Sequence, residues 1–512
     1  MGYIKLNLRL PTGYDSEELR KLIKQKTGLR EFSFEIEKKS LDARKKNDIH
    51  YRISLIIKAE QIDGSDYPRP DSLTIPYKKR DKSAAVVGSG PAGFFAAYVL
   101  QLAGFKTTII ERGSKVKARI KAVNRLNRDG IFSDEDNYAF GEGGAGTFSD
   151  GKLTSRSKRI SAERRFILRE YVKAGAPDEI LYMAHPHIGT DNLKLIVANL
   201  RRQFLQNGGE IRFNTKVKDI MIKKKRITAI RCNNCEISAD FIIFAIGHSA
   251  YDTYRMLIKR SVGFRTKNFA IGHRIEHPQI LINKAQWGRE ALPGVKAAEY
   301  RLTAKASSGP PVYSFCMCPG GQVVPTAAYT RKSVVNGMSR YRRDGEFANA
   351  GIVVGVHPDQ LTGHSTNVTE ILDWMDKLEE RFFEFQNGYT LPAINALDYL
   401  KQQSSGDLCR SSYPLGLKQA PLYDMIPSFV AGALAEGIFQ FNKKLHGFDK
   451  GTLMGLESKT SSPIQVIREK DGRCTGFDNL YFAGEGSGYA GGIISSAADG
   501  IKCALAICER AY

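Results

Sequence analysis

The segment AAVVGSGPAGFFAAYVLQLAGFKTTIIERG, residues 84 to 113, restricts the possible folds more than any other part of the sequence. Its glycines Gly88, Gly90 and Gly93 form a G-x-G-x-x-G pattern between a predicted strand and a predicted helix. The first glycine permits a sharp turn, the second lets a pyrophosphate approach the backbone, and the third lets the helix pack on the sheet. The helix N-terminus offers unpaired N–H groups to phosphate. The segment therefore predicts a dinucleotide site at the edge of a parallel sheet.

An acidic residue follows the second predicted strand of this segment. Glu111 stands after residues 107–110, about twenty residues past the glycine turn, where a carboxylate recognises ribose hydroxyls. A carboxylate in this place disfavours a 2′-phosphate. Up to this point in the chain, both NAD and FAD fit the pattern.

The block NLYFAGEGSGYAGGIISSAADGIKCAL, residues 479 to 505, favours FAD. A predicted strand leads to Gly484 and Glu485, and Gly491 and Gly492 open a final helix. A nicotinamide-only domain needs no second acid and glycine pair, whereas the ribitol hydroxyls of FAD require a carboxylate acceptor. A helix N-terminus at the pyrimidine end stabilises negative charge on the reduced flavin. We therefore predict non-covalently bound FAD.

A second glycine-rich segment, FGEGGAGTFSDGKLTSR, covers residues 140 to 156. Glycine costs backbone entropy in helices and strands, so no regular element is expected at this density. Phe140, Phe148 and Leu153 interrupt the polarity that a solvated linker would have. We predict a loop that wraps closely around a ligand.

The chain of 512 residues exceeds what one hydrophobic core usually organises. Residues 3–9, 15–26, 30–38 and 51–59 predict a small βαββ-type module. The predicted fold class is α/β: a doubly wound Rossmann-like FAD-binding domain, an inserted mixed α+β substrate domain and a small N-terminal α+β module. We place the N-terminal module at 1–82, the first part of the FAD-binding domain at 83–264, the inserted substrate or cap domain at 265–465, and the C-terminal part of the FAD-binding domain at 466–512.

The charge balance is strongly basic, with 76 Lys and Arg against 54 Asp and Glu, a formal net charge of +22. Such a charge favours anionic partners: nucleic acid, an acidic membrane surface, or a phosphorylated or carboxylate substrate. A generally basic protein explains it equally well. No stretch is long and apolar enough to span a bilayer, and the N-terminus has no apolar targeting region. We expect a cytoplasmic protein whose eight cysteines are reduced.

Five segments together resemble a known family. They are VVGSGPAGFFAAYVL, FGEGGAGTFSDGKLTSR, FAIGHRIEHPQ, YSFCMCPGG and LYFAGEGSGYAGGIISSAADG. The chain resembles, over nearly its whole length, the NAD(FAD)-utilising dehydrogenases of unknown substrate in the glutathione-reductase-like flavoprotein superfamily. The resemblance implies the fold and FAD binding, and it supplies no substrate. The cofactor-binding residues that it implies are Gly88, Gly90, Pro91, Ala92, Gly93, Glu111, Arg112, Gly144, Ser149, Asp150, Gly151, Lys152, Val217, Gly247, Gly484, Glu485, Gly491, Gly492 and Ile493.

The same resemblance limits the source of electrons. Disulfide reductases of that superfamily carry two cysteines four residues apart on the helix after the acid, and SKVKARIKAVNRLN has none. A second complete nucleotide fingerprint is also missing, so a dedicated NAD(P)H domain is not expected. NAD(P)H would reach the flavin only as a transient reductant. The physiological electron donor and acceptor are left open.

Two cysteine pairs lie close together in the sequence. Cys316 and Cys318 form a C-x-C that, in an extended segment, directs both thiols to one side. They are either a redox dithiol that exchanges electrons with FAD or structural thiols beside a glycine turn. Cys232 and Cys235 flank two asparagines, which predicts a hairpin with cross-strand thiols rather than a zinc site. No metal is predicted.

Histidines and charged residues in both the inserted region and the first part of the FAD-binding domain supply further candidates. FAIGHRIEHP directs His273 and Arg274 to opposite sides of a strand, with His277 nearby, and HPHIGTD adds His185 and His187. Arg274 is our candidate for contact with an acidic substrate. Lys152 either stabilises an anionic flavin N1 or is a solvated loop lysine. The catalytic candidates are Lys152, Arg274, Cys316 and Cys318.

The sequence thus predicts an FAD-dependent oxidoreductase that transfers a hydride between an anionic small-molecule substrate and flavin N5. The alternative is a flavoprotein that binds or modifies RNA. The basic charge and the N-terminal module suggest it. No aromatic-rich RNA-binding signature requires that alternative. A third alternative is a flavin-bound interaction protein without turnover.

Overall fold

The computed structural model describes residues 2–69, 72–404 and 406–511. The chain begins with a small antiparallel sheet whose strand order is β1-β3-β2, and one helix packs on it through Leu19 and Ile23. The Asp15 carboxylate caps this helix by accepting hydrogen bonds from the backbone N–H groups of Glu17 and Glu18. The βαββ-type module is therefore present, with β1 (Gly2–Pro11), α1 (Ser16–Thr27), β2 (Ser33–Asp42) and β3 (His50–Ala59).

The next part of the chain alternates short apolar strands with helices, as the glycine fingerprint predicts. Buried strands with both faces covered are typical of parallel sheets. The elements are β4 (Ser83–Val87), α2 (Pro91–Leu102), β5 (Lys106–Ile110), α3 (Val116–Asp129), α4 (Ser161–Lys173), α5 (Thr190–Gln206), β6 (Glu210–Arg212), β7 (Val217–Lys223), β8 (Arg226–Cys232), β9 (Glu236–Ile237), β10 (Phe241–Phe244) and α6 (Tyr251–Lys259).

A large, mostly antiparallel sheet dominates the middle of the chain, with one parallel pair at its edge. Seven of its strands follow the order β13-β14-β16-β12-β19-β17-β18, and β15 pairs with β14. Apolar residues of α9 and α11 pack with the strands in one core. The elements are β11 (Phe264–Thr266), β12 (Phe269–Pro278), α7 (Gln279–Trp287), β13 (Thr303–Lys305), β14 (Pro311–Pro325), β15 (Val335–Ser339), β16 (Phe347–Val356), α8 (Pro358–Thr362), α9 (Val368–Glu384), β17 (Leu391–Asn395), α10 (Ala396–Lys401), β18 (Leu417–Gln419), α11 (Ser428–Lys444), β19 (Thr452–Glu457) and β20 (Ile464–Val466).

The C-terminal elements β21 (Leu480–Phe482) and α12 (Ile493–Arg510) return to the first part of the chain. The five strands of the parallel sheet have the order β21-β10-β4-β5-β6, and every neighbouring pair is parallel. Strand β10 lies between β4 and β21 in this sheet. Two parts of the chain separated by the large antiparallel sheet therefore build one site.

The two faces of the parallel sheet are covered differently. One face packs against α2, α4, α5 and α12. The other face packs mainly against the antiparallel strands β7-β8-β9, with Leu257 of α6. A doubly wound sheet has helices on both faces. The predicted doubly wound fold class is corrected here: the KVKDIMIKKKRITAIRC segment alternates with period two, as strands do, and its strands form a β-layer on this face instead of a second helical layer.

A short two-stranded sheet joins the inserted region to the parallel-sheet region. Phe264 pairs with Val466, and Thr266 pairs with Ile464, in antiparallel register. This pair lies beside both ends of the region that we assign to the inserted domain. The division of the chain into 1–82, 83–264, 265–465 and 466–512 remains our proposal.

Candidate functional site

The glycines of the β4–α2 turn serve different physical purposes. A Cβ on Gly88, whose φ is +104°, would lie 2.4 Å from the carbonyl oxygen of Ala245. A Cβ on Gly93 would lie 1.9 Å from the carbonyl oxygen of Gly88. At Gly90 the nearest atom to an added Cβ is the Cα of Gly144, at 3.9 Å. Gly88 and Gly93 are therefore needed for packing, whereas Gly90 leaves space in the cavity.

A cavity lies beside this turn, and two helices whose N-termini lack a side-chain cap begin at it. Helix α2 begins after Gly90 and carries Pro91 at its first turn, and no side chain accepts its free N–H groups. Helix α12 begins after Gly492, which has φ +77° and likewise lacks a side-chain cap. Free N–H groups and the helix dipole favour an anion at each position. A Cβ on Gly492, or on Gly247 of the same cavity, would meet no atom within 4 Å.

Glu111 is buried at the end of β5 and lines the cavity. Its Oε2 accepts hydrogen bonds from the N–H of Ser89, at 3.0 Å, and from the Ser89 hydroxyl, at 2.6 Å. Its Oε1 accepts from the N–H groups of Gly113 and Gly141. The carboxylate thus fastens the glycine turn to the glycine-rich segment. Its recognition of a ribose stays a prediction.

The glycine-rich segment contains one short regular element that we did not expect, a 3₁₀ helix at Gly144–Phe148. Short 3₁₀ turns need only a few residues in helical geometry, so the glycine content does not prevent one. Gly144 adjoins the β4–α2 turn, because its added Cβ would lie 3.1 Å from the Cα of Gly90. From there the chain continues along the cavity to Ser149 and Lys152.

Arg119 of α3 binds the backbone of the glycine-rich segment, a role that the sequence did not predict. Its fully buried guanidinium donates to the carbonyl oxygens of Asn137, Glu142 and Gly144 at 2.9, 2.8 and 2.7 Å. Burial lowers the pKa of Arg119 to about 10, and nearby carboxylates, Glu111 first, oppose that effect. Its position in an amphipathic basic helix after Glu111 gave no sign that this one arginine points inward.

An ion-pair chain fixes the far part of the glycine-rich segment. The Lys152 ammonium lies 2.8 Å from Asp150, whose carboxylate also pairs with Arg343 at 2.7 Å. Burial alone would raise the pKa of Asp150, but Lys152 and Arg343 lower it overall. Burial alone would lower the pKa of Lys152, but the charge of Asp150 raises it, and the pKa lies above its usual value. Both residues line the cavity, and the Lys152 side chain is 30% exposed whereas the Asp150 side chain is 1% exposed.

Arg274 lies behind the cavity wall, which corrects the expectation that it contacts substrate. Its side chain is fully buried and pairs with Glu457 at 2.6 Å. It also donates to Asn349 Oδ1 at 2.8 Å and to the carbonyl oxygen of Cys316 at 2.8 Å. Cys316 lines the cavity, whereas Cys318 is buried. Successive side chains of β12 point to opposite faces of the sheet. His273 and Arg274 therefore lie on different faces, and Arg274 reaches Cys316 of β14.

The predicted histidines do not line the cavity. His273 and His277 are fully buried, and each ring has a nitrogen 2.7 Å from a backbone carbonyl oxygen. Burial lowers the pKa of both to about 4, so they are neutral packing groups. His187 contacts the Tyr341 carbonyl oxygen, and His185 pairs with Glu299.

Most of the predicted residues are brought together in one cavity with about 1540 Å³ of space, including its open mouth. Gly93 and Gly491 do not line it; Gly93 acts in helix packing. Phe140 of the predicted ligand loop also lines the cavity, whereas His248, Asn336 and Lys459 line it without having been predicted. The predicted residues that line the cavity are Gly88, Gly90, Pro91, Ala92, Glu111, Arg112, Gly144, Ser149, Asp150, Gly151, Lys152, Val217, Gly247, Cys316, Gly484, Glu485, Gly492 and Ile493.

Within residues 2–69, 72–404 and 406–511, no group of three or more His, Cys, Asp or Glu side chains has the arrangement of a metal site. No helix in the same ranges has the length and apolar content to cross a membrane. The Cys232 N–H donates to the Cys235 carbonyl oxygen at 2.8 Å, which places this pair in a β8–β9 hairpin.

Three family models match the chain. The model described as "FAD-dependent protein, C-terminal domain-like" matches residues 268–460. The model "FAD binding domain" matches residues 81–126, which contain the glycine turn and Glu111. A domain of unknown function, DUF8436, matches residues 3–58. The chain binds FAD, and the open cradle at Gly90, Gly247 and Gly492 fits that cofactor.

Several individual proteins are similar to this chain. Mitochondrial protoporphyrinogen oxidase of Nicotiana tabacum is 27% identical over 31% of this chain and 28% of its own length. The solved structure of CtdE in complex with FAD covers 84% of both chains at 13% identity, with a TM-score of 0.34. The match to the solved structure of glycine oxidase from Bacillus cereus covers 84% of this chain and 95% of that chain, at 11% identity, with a TM-score of 0.33.

One relative extends over the whole chain. An uncharacterised protein of Clostridium beijerinckii is 39% identical to this chain over 98% of both sequences. Because the FAD-binding and FAD-dependent domain matches lie within that shared length, the chain belongs to the family of the Clostridium beijerinckii protein, an FAD-binding, oxidoreductase-like family.

Proposed function

We propose that this protein is an FAD-dependent oxidoreductase that transfers a hydride between an anionic small-molecule substrate and flavin N5. One observation carries the proposal. A single cavity joins two helix N-termini that lack side-chain caps to the partly exposed side chain of Lys152. Bound FAD supplies two-electron chemistry, and the protein supplies orientation and electrostatics.

The N-termini of α2 and α12 would hold the two ends of the cofactor. Gly90 gives the pyrophosphate access to the free N–H groups of α2. Glu111 stands beside that turn, at the place of the adenosine ribose. Gly492 opens α12 beside Glu485, at the place of the ribitol and the flavin. The stretch from Gly144 to Lys152 connects these two ends along the cavity.

Lys152 would stabilise negative charge at the reacting end of the cavity. Asp150 and Arg343 fix its position, so little reorganisation is needed when charge develops. The same ammonium would attract a carboxylate or phosphate of the substrate. Arg112 and Lys459 are less available, because Arg112 pairs with Glu135 and Asp252 and Lys459 pairs with Glu379.

Glu485 is a candidate for holding a proton in the same region. Burial raises the pKa of Glu485 to about 7, although the N–H of Gly492 and the charge of Lys267 lower it. A carboxyl group with this pKa exchanges protons readily at neutral pH. It lies beside the helix N-terminus that we assign to the flavin.

The proposal is tested by anaerobic titration of the holoprotein with NADH and then with NADPH, following the absorbance of oxidised flavin. Bleaching by either one identifies a transient nicotinamide donor. If neither bleaches the flavin, electrons enter from the organic substrate, and the titration is repeated with carboxylate and phosphate metabolites. A protein without a flavin band after reconstitution with FAD contradicts the proposal.

Substitution of Lys152 tests the electrostatic part. Lys152→Met is expected to retain FAD and to lower its two-electron reduction potential by about 30 to 60 mV, since about 30 mV corresponds to 1.4 kcal/mol. Lys158→Met, an exposed lysine further along the same segment, is the matched control and should leave the potential unchanged. Equal flavin reduction potentials in the wild type and both variants would show that Lys152 does not lie at the flavin.

The alternative of an RNA-binding flavoprotein has no support from the matched families or relatives, none of whose descriptions mentions nucleic acid. Cytoplasmic location remains a prediction.

A further inference from the structure

Strand β14 contains an irregularity at its cysteines. Phe315 pairs with Gly351 of β16, and Cys318 pairs with Asn349, so two residues of β14 lie opposite one residue of β16. This is a β-bulge. Cys316, within the bulge, has φ +44°, a backbone conformation that residues other than glycine rarely adopt.

The bulge changes the relation between the two thiols. In a regular strand the rise is about 3.3 Å per residue, so the α-carbons of residues i and i+2 lie near the upper limit for a disulfide. Their Cβ atoms are further apart than a disulfide allows. In the bulge the Cys318 thiol lies near its neighbour and donates a hydrogen bond to the carbonyl oxygen of Cys316, at 3.2 Å. Both are free thiols in this structure.

The pair spans the wall of the FAD cavity. Cys316 lines the cavity with Lys152, Glu485 and Gly492, the residues at the proposed flavin end. Cys318 is fully buried immediately behind it. One sulfur therefore faces the cofactor site, and the other is protected from solvent.

Two cations lie against the buried sulfur. The Lys152 ammonium is 4.0 Å from the Cys318 Sγ, and an Arg274 nitrogen is 3.6 Å from it. The hydrogen bond from Cys318 lowers the pKa of Cys316, and Lys152 and Arg274 lower it further, against the effect of burial. The pair thus stabilises one thiolate, which is the reactive form of cysteine.

Arg274 is explained by this arrangement as a positioning residue. It holds the Cys316 carbonyl oxygen and the Cys318 sulfur, and Glu457 balances its charge. Burying an ion pair costs desolvation free energy, so an ion pair kept away from the substrate space is expected to have a structural role. Here it fixes the backbone and the charge of a dithiol.

We propose that Cys316 and Cys318 form a redox-active dithiol that exchanges two electrons with the bound FAD. In the oxidising direction one thiolate, one thiol and oxidised FAD give the disulfide and reduced, anionic FAD. A sulfur–sulfur bond forms, the remaining S–H bond breaks, and the two electrons and the proton pass to the flavin. The inference rests on the FAD site and is independent of the anionic substrate.

The first experiment reads the cysteines directly. Holoprotein with oxidised FAD is kept anaerobic, quenched in acid, denatured and alkylated, and the peptide with both cysteines is analysed by mass spectrometry. We expect an unalkylated, disulfide-linked peptide, and two alkyl groups on each such peptide after prior reduction of the protein with dithionite. Two alkyl groups in the oxidised holoprotein overturn the proposal, whatever the substrate of the enzyme is.

The second experiment counts electrons. Anaerobic dithionite titration of the wild-type holoprotein should consume four electrons per FAD, and Cys316→Ser or Cys318→Ser should consume two. The double variant Cys232→Ser/Cys235→Ser removes the other adjacent pair and should still consume four. Two electrons in the wild type, or four in the Cys316 and Cys318 variants, would overturn the proposal. The alkylation experiment needs no variant, so loss of folding in a variant leaves it decisive.

Discussion

Single atoms decide the purpose of each glycine in the β4–α2 turn. Gly93 allows α2 to approach the turn, because an added Cβ would lie 1.9 Å from the Gly88 carbonyl oxygen. Gly90 faces open space and is needed only when a phosphate is present. The same residue type in one motif thus serves the fold at one position and the ligand three residues away.

Alanine at these two positions should separate folding from binding. Gly93→Ala should lower the free energy of unfolding by about 1 to 3 kcal/mol, the usual cost of overpacking. Gly90→Ala should leave the stability of the FAD-free protein unchanged and weaken FAD binding at least about tenfold, about 1.4 kcal/mol. Urea unfolding and fluorescence titration with FAD measure the two effects. Equal losses of stability in both variants would contradict the assignment.

The titration of Glu485 should be visible in the FAD-free protein. Because the pKa of Glu485 is raised to about 7 in the folded chain, folding favours its protonated form. Its contribution to stability is therefore full at low pH, decreases as the pH rises above about 4.3, and is lost above about 7. The stability of Glu485→Gln should lack this decrease. Urea unfolding of both proteins at pH 5, 6, 7 and 8 checks this, and parallel curves would contradict it.

The contact between helices α2 and α12 brings their N-termini to the cavity. Gly500 of α12 contacts the backbone of α2, because its added Cβ would lie 2.1 Å from the Ala92 carbonyl oxygen. Gly484, just before α12, likewise has no space for a side chain, since its added Cβ would lie 2.5 Å from the Ala92 Cβ. The close approach places both helix N-termini at one cavity.

Widening this helix contact should therefore affect both stability and FAD binding. Gly500→Ala is expected to destabilise the protein by about 1 to 3 kcal/mol and to weaken FAD binding. Gly432→Ala is the matched control, because Gly432 lies in α11 with no atom within 4 Å of an added Cβ. The control should be neutral or more stable by about 0.5 to 1 kcal/mol. Thermal unfolding with and without FAD compares the two variants.

At the scale of the whole molecule, the cofactor cavity is assembled from four distant parts of the chain. Among them are the β4–α2 turn, the glycine-rich segment, the bulge of β14 and the passage from β21 to α12, and the end of β5 and the segment after β10 add further lining residues. The N-terminal module has its own core and contributes no residue to the cavity. It is joined to the rest through Lys39, whose backbone pairs with Tyr182 and Ala184, and through a hydrogen bond from Tyr51 to Gly294.

Removal of FAD should therefore loosen some regions and not others. Hydrogen exchange should become faster in residues 88–93, 141–152 and 484–493, because ligand binding stabilises only the segments that it links. Residues 2–59 serve as the internal control and should exchange at the same rate in both forms. Faster exchange throughout the chain would show instead that FAD stabilises the molecule as one unit.

The sequence alone predicted the βαββ-type module, the parallel strands and the FAD fingerprint, because these rest on local periodicity and on glycines at fixed spacing. Strand alternation also predicted that His273 and Arg274 face opposite sides of β12. It did not predict which side adjoins the cavity, since that depends on the neighbouring strands. The β-layer on the second face of the parallel sheet was likewise not expected.

The sequence by itself determined that this chain builds an FAD site, since the G-x-G-x-x-G turn and the second acid and glycine block are local patterns with local physical causes. Only the tertiary structure decided what surrounds the cofactor. It turned Arg274 from a substrate contact into a buried partner of Glu457, and it brought Lys152 against Cys318 across 166 positions of sequence. Such contacts depend on strand order, on a bulge and on burial, which local sequence patterns do not specify.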